Sequence, residues 1–286
     1  MADLTHVLTW ELVMTNTLKQ TAKAGFTLVE LAIVLVIIGL IVGGVLVGQD
    51  LIKAAEIRST MADLESYNAA ATTFRNKYNG LPGDLLASRA SQYGMTTRTG
   101  AEGKGDGNSL MEGCAAGVPS LGCETALFWV DLTTAQLIPD AFSTATDAPV
   151  NAASAAALEP ILPNTPLRDI AKVHVYTQAG RNYFAVTNFT TDASGVQAVI
   201  NARAALTPAE ASQIDEKADD GLPTTGIVRS ITGFSANAVS VNAGGQPAAS
   251  GQCIANDIIT GTEQYNAANE DFAAELNCHI YYRASF

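Results

Sequence analysis

Few residues in this sequence have the type and spacing to do chemistry, and the most telling is a lone carboxylate. Glu30 is the only charge between Phe26 and Gly48 in an otherwise apolar run. A carboxylate one turn into an apolar helix is costly in lipid, so it calls for a partner and marks a functional site. Gly103-Lys104-Gly105-Asp106-Gly107-Asn108 invites a calcium or phosphate reading. It lacks the regular carboxylate alternation of an EF-hand, and no Gly-Lys-Ser/Thr ends it as in a P-loop. A turn-rich loop is the better reading. Asp215, Glu216, Asp219 and Asp220 gather at the end of a predicted helix, against its dipole. They ask for an arginine or a cation, and a structural role is preferred to a metal site. His174 lies between Val173 and Val175 with no Ser, Cys or Asp motif beside it, which reads as a strand-surface residue. No Ser/His/Asp, Cys/His or metal constellation is present to support an enzyme.

The elements that must position these residues follow from periodicity. Phe26 to Gly48 is long enough to cross a hydrocarbon core of about 30 Å as a helix. Lys19 and Lys23 precede it and place the N-terminus on the cytoplasmic side. Gly39/Gly43 and Gly44/Gly48 have the GxxxG spacing that lets helix backbones approach closely; simple tolerance of glycine in membrane helices is the alternative. Beyond Gly48, Ala54, Ile57, Met61, Leu64, Asn68, Ala71, Phe74 and Tyr78 recur at steps of three and four, one face of a continuing helix. Asn79-Gly80 and Pro82 stop it. The expected organisation is residues 26–48 in the membrane, 49–78 as the spine of a head, and 79–286 as the head itself.

Within the head, Glu124 to Leu137 reads as a short amphipathic helix, with Trp129 a core aromatic rather than a sugar-stacking one. Residues 140–165 are Pro-rich loop. Lys172–Tyr176 and Tyr183–Thr187 flank Gln178-Ala179-Gly180-Arg181 as a β-hairpin. Thr207-Pro208-Ala209-Glu210 is a capping box with Pro at the first helical position. Its helix runs to about Ala218 and Gly221 ends it. Ile227–Ile231, Ala238–Val241 and Cys278–Arg283 are expected strands. The fold class is α+β: a long N-terminal helix with an antiparallel sheet and short helices packed on its outer half.

Composition sets outer limits. The chain has 286 residues, room for one membrane helix and one globular domain. It is 48% hydrophobic, enough for a core, and its net charge is −12. An acidic head does not bind nucleic acid by phosphate neutralisation.

Gly25-Phe26-Thr27-Leu28-Val29-Glu30-Leu31, behind a lysine-bearing leader and ahead of an apolar helix, resembles the N-terminus of type IV pilins and type II secretion pseudopilins. The resemblance implies that residues 1–25 are a leader, that a prepilin peptidase cuts between Gly25 and Phe26, and that Phe26 becomes the methylated N-terminus. Met14 offers a second start, with a shorter leader of the family's common type. In that family the glutamate pairs with a neighbouring subunit's N-terminus, a role that falls to Glu30 and the amino end of Phe26. Pro82-Gly83-Asp84, Leu127–Leu132, Ala135–Ile138 and Ile214–Pro223 look like a head common in pseudopilin-like proteins. The implied partners are copies of the chain in a helical filament, the peptidase, an inner-membrane assembly platform of a pilus or secretion system, and membrane lipid before assembly. No cofactor is implied.

An exported head with an even cysteine count suggests two disulfides, and four cysteines allow three connectivities. The local choice is Cys114–Cys123 and Cys253–Cys278. Neither pair has the close double spacing of a zinc site, and the chain holds only three histidines. Two rival functions stand beside the filament subunit: a minor subunit that primes or tips the filament, and a membrane-anchored periplasmic enzyme or binding protein.

Overall fold

The structure is a computed structural model that describes residues 27–114, 121–145, 148, 158–189, 202–203, 205–231, 253–256, 263–268 and 278–286. The leader, Gly25, Phe26 and the expected strand Ala238–Val241 lie outside these residues. The chain divides into two compact units, 1–50 and 51–286.

Helix α1 runs from Leu28 to Tyr78. In the first unit its apolar side chains, Leu31, Leu35, Ile38 and Val42 among them, are exposed. In the second unit it buries Ile57, Thr60, Leu64, Tyr67, Ala70, Ala71, Phe74 and Tyr78. The buried stripe is therefore wider than the one read from the sequence: Tyr67 and Ala70 join it, while Ala54, Met61 and Asn68 are only half-buried. Asn79 ends the helix at φ 53°, the left-handed conformation that Asn tolerates.

A short helix α2, Ala87–Gln92, follows. Nothing in this Gly/Ser/Thr-rich stretch signals a helix, and at six residues α2 is held by packing: Ala90 is buried, and Tyr93 sits edge-on to Tyr78 at 5.0 Å. Helix α3, Glu124–Thr134, is one turn shorter than expected, because Gln136 turns left-handed at φ 58°. Nearly all its side chains are buried, so it is a core helix.

The sheet is antiparallel throughout. Its strands are β1 Asn164–Thr165, β2 Arg168–Gln178, β3 Arg181–Phe189, β4 Ala202–Arg203, β5 Val228–Ile231 and, after a separate pair β6 Ile254–Asn256 and β7 Glu263–Tyr265, β8 His279–Arg283. The order is β1-β2-β3-β8-β5, with β4 also on β3. The β2–β3 hairpin turns on Ala179 and Gly180, both at positive φ (49° and 71°), the requirement of a two-residue turn matched to strand twist. Helix α4, Pro208–Ala218, starts with the expected capping box, and Glu210 also takes the Arg168 guanidinium at 2.9 Å.

One sheet face carries Val173, Val175, Phe184, Val186 and Ile280 into the main core with Phe74, Phe128 and Trp129. Trp129 is fully buried and meets Tyr67 edge-on at 4.9 Å. The opposite face is buried as well, around Tyr176, Tyr183, Ala185 and Tyr281. His174 belongs to this second face and is 1% exposed, not a surface residue. Strand alternation alone assigns a residue to a face; it does not say whether that face is covered.

Candidate functional site

The site begins where α1 begins. Thr27 precedes the first helical residue, and the Thr27 N–H donates to Glu30 Oε2 at 2.8 Å. The Thr27 hydroxyl donates to the same oxygen at 2.8 Å, and the Glu30 N–H donates back to Thr27 Oγ1 at 3.2 Å. This is the reciprocal pattern of a capping box, Thr-x-x-Glu, which satisfies helix N–H groups that have no intrahelical acceptor. It repeats the Thr207–Glu210 box of α4. The signal was visible in the sequence, but Glu30 reads there first as a charge in an apolar run. Its oxygen is used locally to start the helix that carries it. Gly25 and Phe26, the expected processing residues, lie outside the described residues.

The helix that follows is long and apolar enough, by length and composition, to cross a membrane. A Cβ added at Gly39, Gly43, Gly44 or Gly48 would meet nothing within 4 Å. These four positions form bare backbone on an otherwise Leu/Ile/Val surface, the feature that permits close helix approach.

In the head, buried acids lock loops onto α3. Asp131 accepts from Gly83 N–H at 2.7 Å and holds Arg98 through both of its oxygens. Asp84 accepts from the N–H groups of Gly107 and Ser109, both at 2.7 Å. Glu124 accepts from Gly105 at 2.7 Å and Glu112 at 3.0 Å. The Pro82-Gly83-Asp84 turn, the Gly103–Asn108 loop and the start of α3 are therefore one interlocked unit. Burial pushes Asp84 up to about 7 and Glu124 up to about 8, and the Asp84 charge adds to the effect on Glu124. Asp84, Asp106 and Glu124 bring oxygens within 4.8 Å of one another, as do Asp215, Asp219 and Asp220. In the first group the Asp84 and Glu124 oxygens are taken by four backbone N–H donors, which explains the loop without an ion.

The structure joins Cys114 to Cys123 and Cys253 to Cys278, with Cα separations of 5.1 and 4.8 Å. The second bond ties the residue before β6 to the residue before β8. Cys278 also exchanges backbone hydrogen bonds with Leu206, so the segments leading into α4, β6 and β8 are joined there.

Residues 20–46 match the family described as the prokaryotic N-terminal methylation motif. No curated protein and no solved structure matches the chain.

Proposed function

We propose that this chain, which carries the methylation motif that is the hallmark of type IV pilins and pseudopilins, is a prepilin. Its leader is residues 1–25, cleaved after Gly25, and Phe26 becomes the N-methylated first residue. Its mature form is a structural subunit, not an enzyme, of a type IV pilus or a type II secretion pseudopilus. The observation that carries the reading is the motif at residues 20–46, set directly on an apolar helix able to span a bilayer.

Before assembly the helix from Phe26 to Gly48 sits in the inner membrane, with the leader cytoplasmic and the head periplasmic. Subunits then pack by a repeated heterologous contact that does not close, which propagates a filament. Glu30 supplies the charge that pairs with the amino end of Phe26 in a neighbouring copy. The capping box supports this role, since it fixes the carboxylate at the first turn of the helix. The open glycines support close helix packing in the filament core.

The experiment is intact-mass and N-terminal analysis of the protein from the membrane and from sheared surface filaments. The expected result is a chain beginning at Phe26 and heavier by one methyl group. A mature filament protein that begins elsewhere, or retains the leader, rejects the reading.

A further inference from the structure

An open groove of about 520 Å³ lies between the spine half of α1 and the segments that follow α3 and precede β2. α1 contributes Asp63 and Tyr67, the segment after α3 contributes Asp140 and Phe142, and the approach to β1 contributes Glu159 and Pro163. Asp140 and Glu159 are exposed and Asp63 is half-buried, so three carboxylates edge the groove. None of them makes an ion pair among the described residues. Burial raises the Asp63 carboxyl above its ordinary value, and the charge of Asp140 acts in the same direction.

The second observation is the Tyr67 hydroxyl. Tyr67 is only 6% exposed, with its ring edge-on to Trp129 at 4.9 Å. Its hydroxyl has no hydrogen-bond partner among the described residues. Burial raises this phenol above its ordinary value, and the charges of Asp140 and Asp63 raise it further. A nearly buried side chain thus brings its one polar atom, unpaired, to a groove edged with negative charge.

The complementary charge stands on the same helix. Arg58 is exposed and makes no ion pair among the described residues. Its neighbours on the helix surface, three and four residues away, are Ala54, Ala55, Met61 and Ala62, and none offers a side-chain oxygen. Asp63 has Ser59, Thr60, Ser66 and Tyr67 in those places, and no cation. Lys53, by contrast, has Glu56 within reach. Arg58 and Asp63 project about 140° apart around α1, so they do not meet within one chain. Between copies they can. When Glu30 pairs with the amino end of Phe26 in a neighbouring copy, that neighbour is set four residues, about 6 Å, along α1. The same shift brings Arg58 of the neighbour level with position 62, beside Asp63.

Resting on the prepilin reading, we propose that this groove receives Arg58 of the neighbouring copy, a second charged contact in register with the Glu30 pair. A guanidinium carries five donors in a planar fork, enough to serve the Asp63 and Asp140 carboxylates and the Tyr67 oxygen together. It is also weakly hydrated, which suits apolar walls such as Phe142 and Pro163. The groove on one copy and Arg58 on the next are different surfaces, so the contact is heterologous and repeats without closing.

The test uses the full chain in cells, with cleaved membrane-pool protein compared with sheared filament protein. Arg58→Glu should lower the filament fraction at least about tenfold, because like charges then face each other across the contact. Asp63→Arg should do the same. Arg58→Asp/Asp63→Arg exchanges the charges and should recover filaments. Arg58→Lys gives a second readout, since it supplies an amine that a carbodiimide joins to a carboxylate in contact with it. Dimers linked from position 58 to Asp63, Asp140 or Glu159 are expected in filaments and not in detergent-dispersed subunits. Wild-type filament yield from Arg58→Glu overturns the proposal, as do links from position 58 that all fall outside the groove. An exchanged pair that folds but assembles no better than the single variants overturns it as well. If Asp63→Arg does not fold its head, the links in Arg58→Lys filaments decide. The wild type separates the two readings. Filaments that begin at N-methyl-Phe26, with normal assembly of Arg58→Glu, reject the groove contact alone. A wild-type filament protein that retains its leader rejects the prepilin reading and the contact with it.

Discussion

Arg98 holds both oxygens of Asp131, at 3.0 and 2.8 Å, with neither side chain exposed. The same guanidinium donates to the Gly83 carbonyl at 2.8 Å, while the Gly83 N–H donates to Asp131. One ion pair therefore fixes the turn after α1, the loop after α2 and the middle of α3. Breaking a buried pair leaves an uncompensated charge, at a cost of about 3–5 kcal/mol. Asp131→Ala should lower stability by that amount in urea unfolding. Replacing both partners with apolar residues, Arg98→Met with Asp131→Leu, should recover much of the loss. A double variant as unstable as the single one would show that the backbone bonds to Gly83 matter more than the charge.

Gly83 is the second half of that lock. It stands at φ 82°, and a Cβ there would lie 2.9 Å from the Phe128 nitrogen, which is backbone of α3 and cannot step aside. Gly180 is equally left-handed, at φ 71°, but a Cβ there would meet nothing within 4 Å. Gly180→Ala should cost about 1 kcal/mol from conformational strain alone. Gly83→Ala should cost clearly more, because α3 must move. Equal denaturation midpoints for the two variants would refute close packing of α3 on the turn.

Stability should follow pH with two opposing slopes. Asp84 and Glu124 titrate at about 7 and about 8 in the folded head because they are buried, against about 4 in an unfolded chain. They hold protons that the unfolded chain has lost, so their contribution is complete below about pH 4 and disappears as pH rises through 7 to 8. Burial has the reverse effect on two histidines, lowering His174 to about 3 and His279 to about 4 from about 6.5. Their contribution is present above about 6.5 and is lost as pH falls through 4 to 3. The head should be most stable between about pH 4.5 and 6.5, and weaken by pH 8. Urea midpoints at pH 5.5 and 8 test this, and Glu124→Gln should flatten the alkaline slope. A midpoint that rises toward pH 8 would contradict the buried-acid account.

How much of this was legible in the sequence depended on the range of the interaction. The hairpin, the α4 capping box and the stop at Asn79 are local, and their residues announce them. Membrane length could be read for the same reason: it needs only an uninterrupted apolar run. The lock was not legible. Arg98 sits in a Gly/Thr-rich stretch and Asp131 within an apolar helix, and only the folded chain brings them together. Asp84 and Glu124 read as an ordinary turn residue and helix start, since nothing local shows that four loop N–H groups will need them. His174 reads as exposed from its strand alone, yet it is buried, because burial of the second sheet face depends on distant segments.

The Cys253–Cys278 bond spans 25 residues of chain. Closing a loop of that length removes unfolded-state entropy worth about 3 kcal/mol. Cys253→Ser/Cys278→Ser should lose that much relative to the oxidised wild type, and reduction of the wild type, which also opens Cys114–Cys123, should lose at least as much. If reduction leaves the midpoint unchanged, β8 is secured by its hydrogen bonds to β3 and β5, and the bond adds little.

Glu30 caps α1 and, in the proposed function, also supplies a charge to a neighbouring subunit; two substitutions pull these tasks apart. As a capping residue it accepts from the Thr27 N–H and hydroxyl, each at 2.8 Å. Glutamine can make the same reciprocal box without charge, whereas leucine cannot. As a charge, Glu30 is a cost to a helix that merely anchors a protein in lipid, and so its removal should be neutral or favour insertion. A filament subunit needs the charge for a neighbour's N-terminus. Glu30→Gln should therefore insert, be cut after Gly25 and fold its head, yet assemble poorly, as should Glu30→Leu. Cleaved membrane-pool protein is compared with sheared filament protein for each variant. If Glu30→Gln assembles normally and Glu30→Leu does not, the cap rather than the charge drives assembly. If both assemble at the wild-type level, Glu30 has no part in filament formation and the pairing mechanism is wrong.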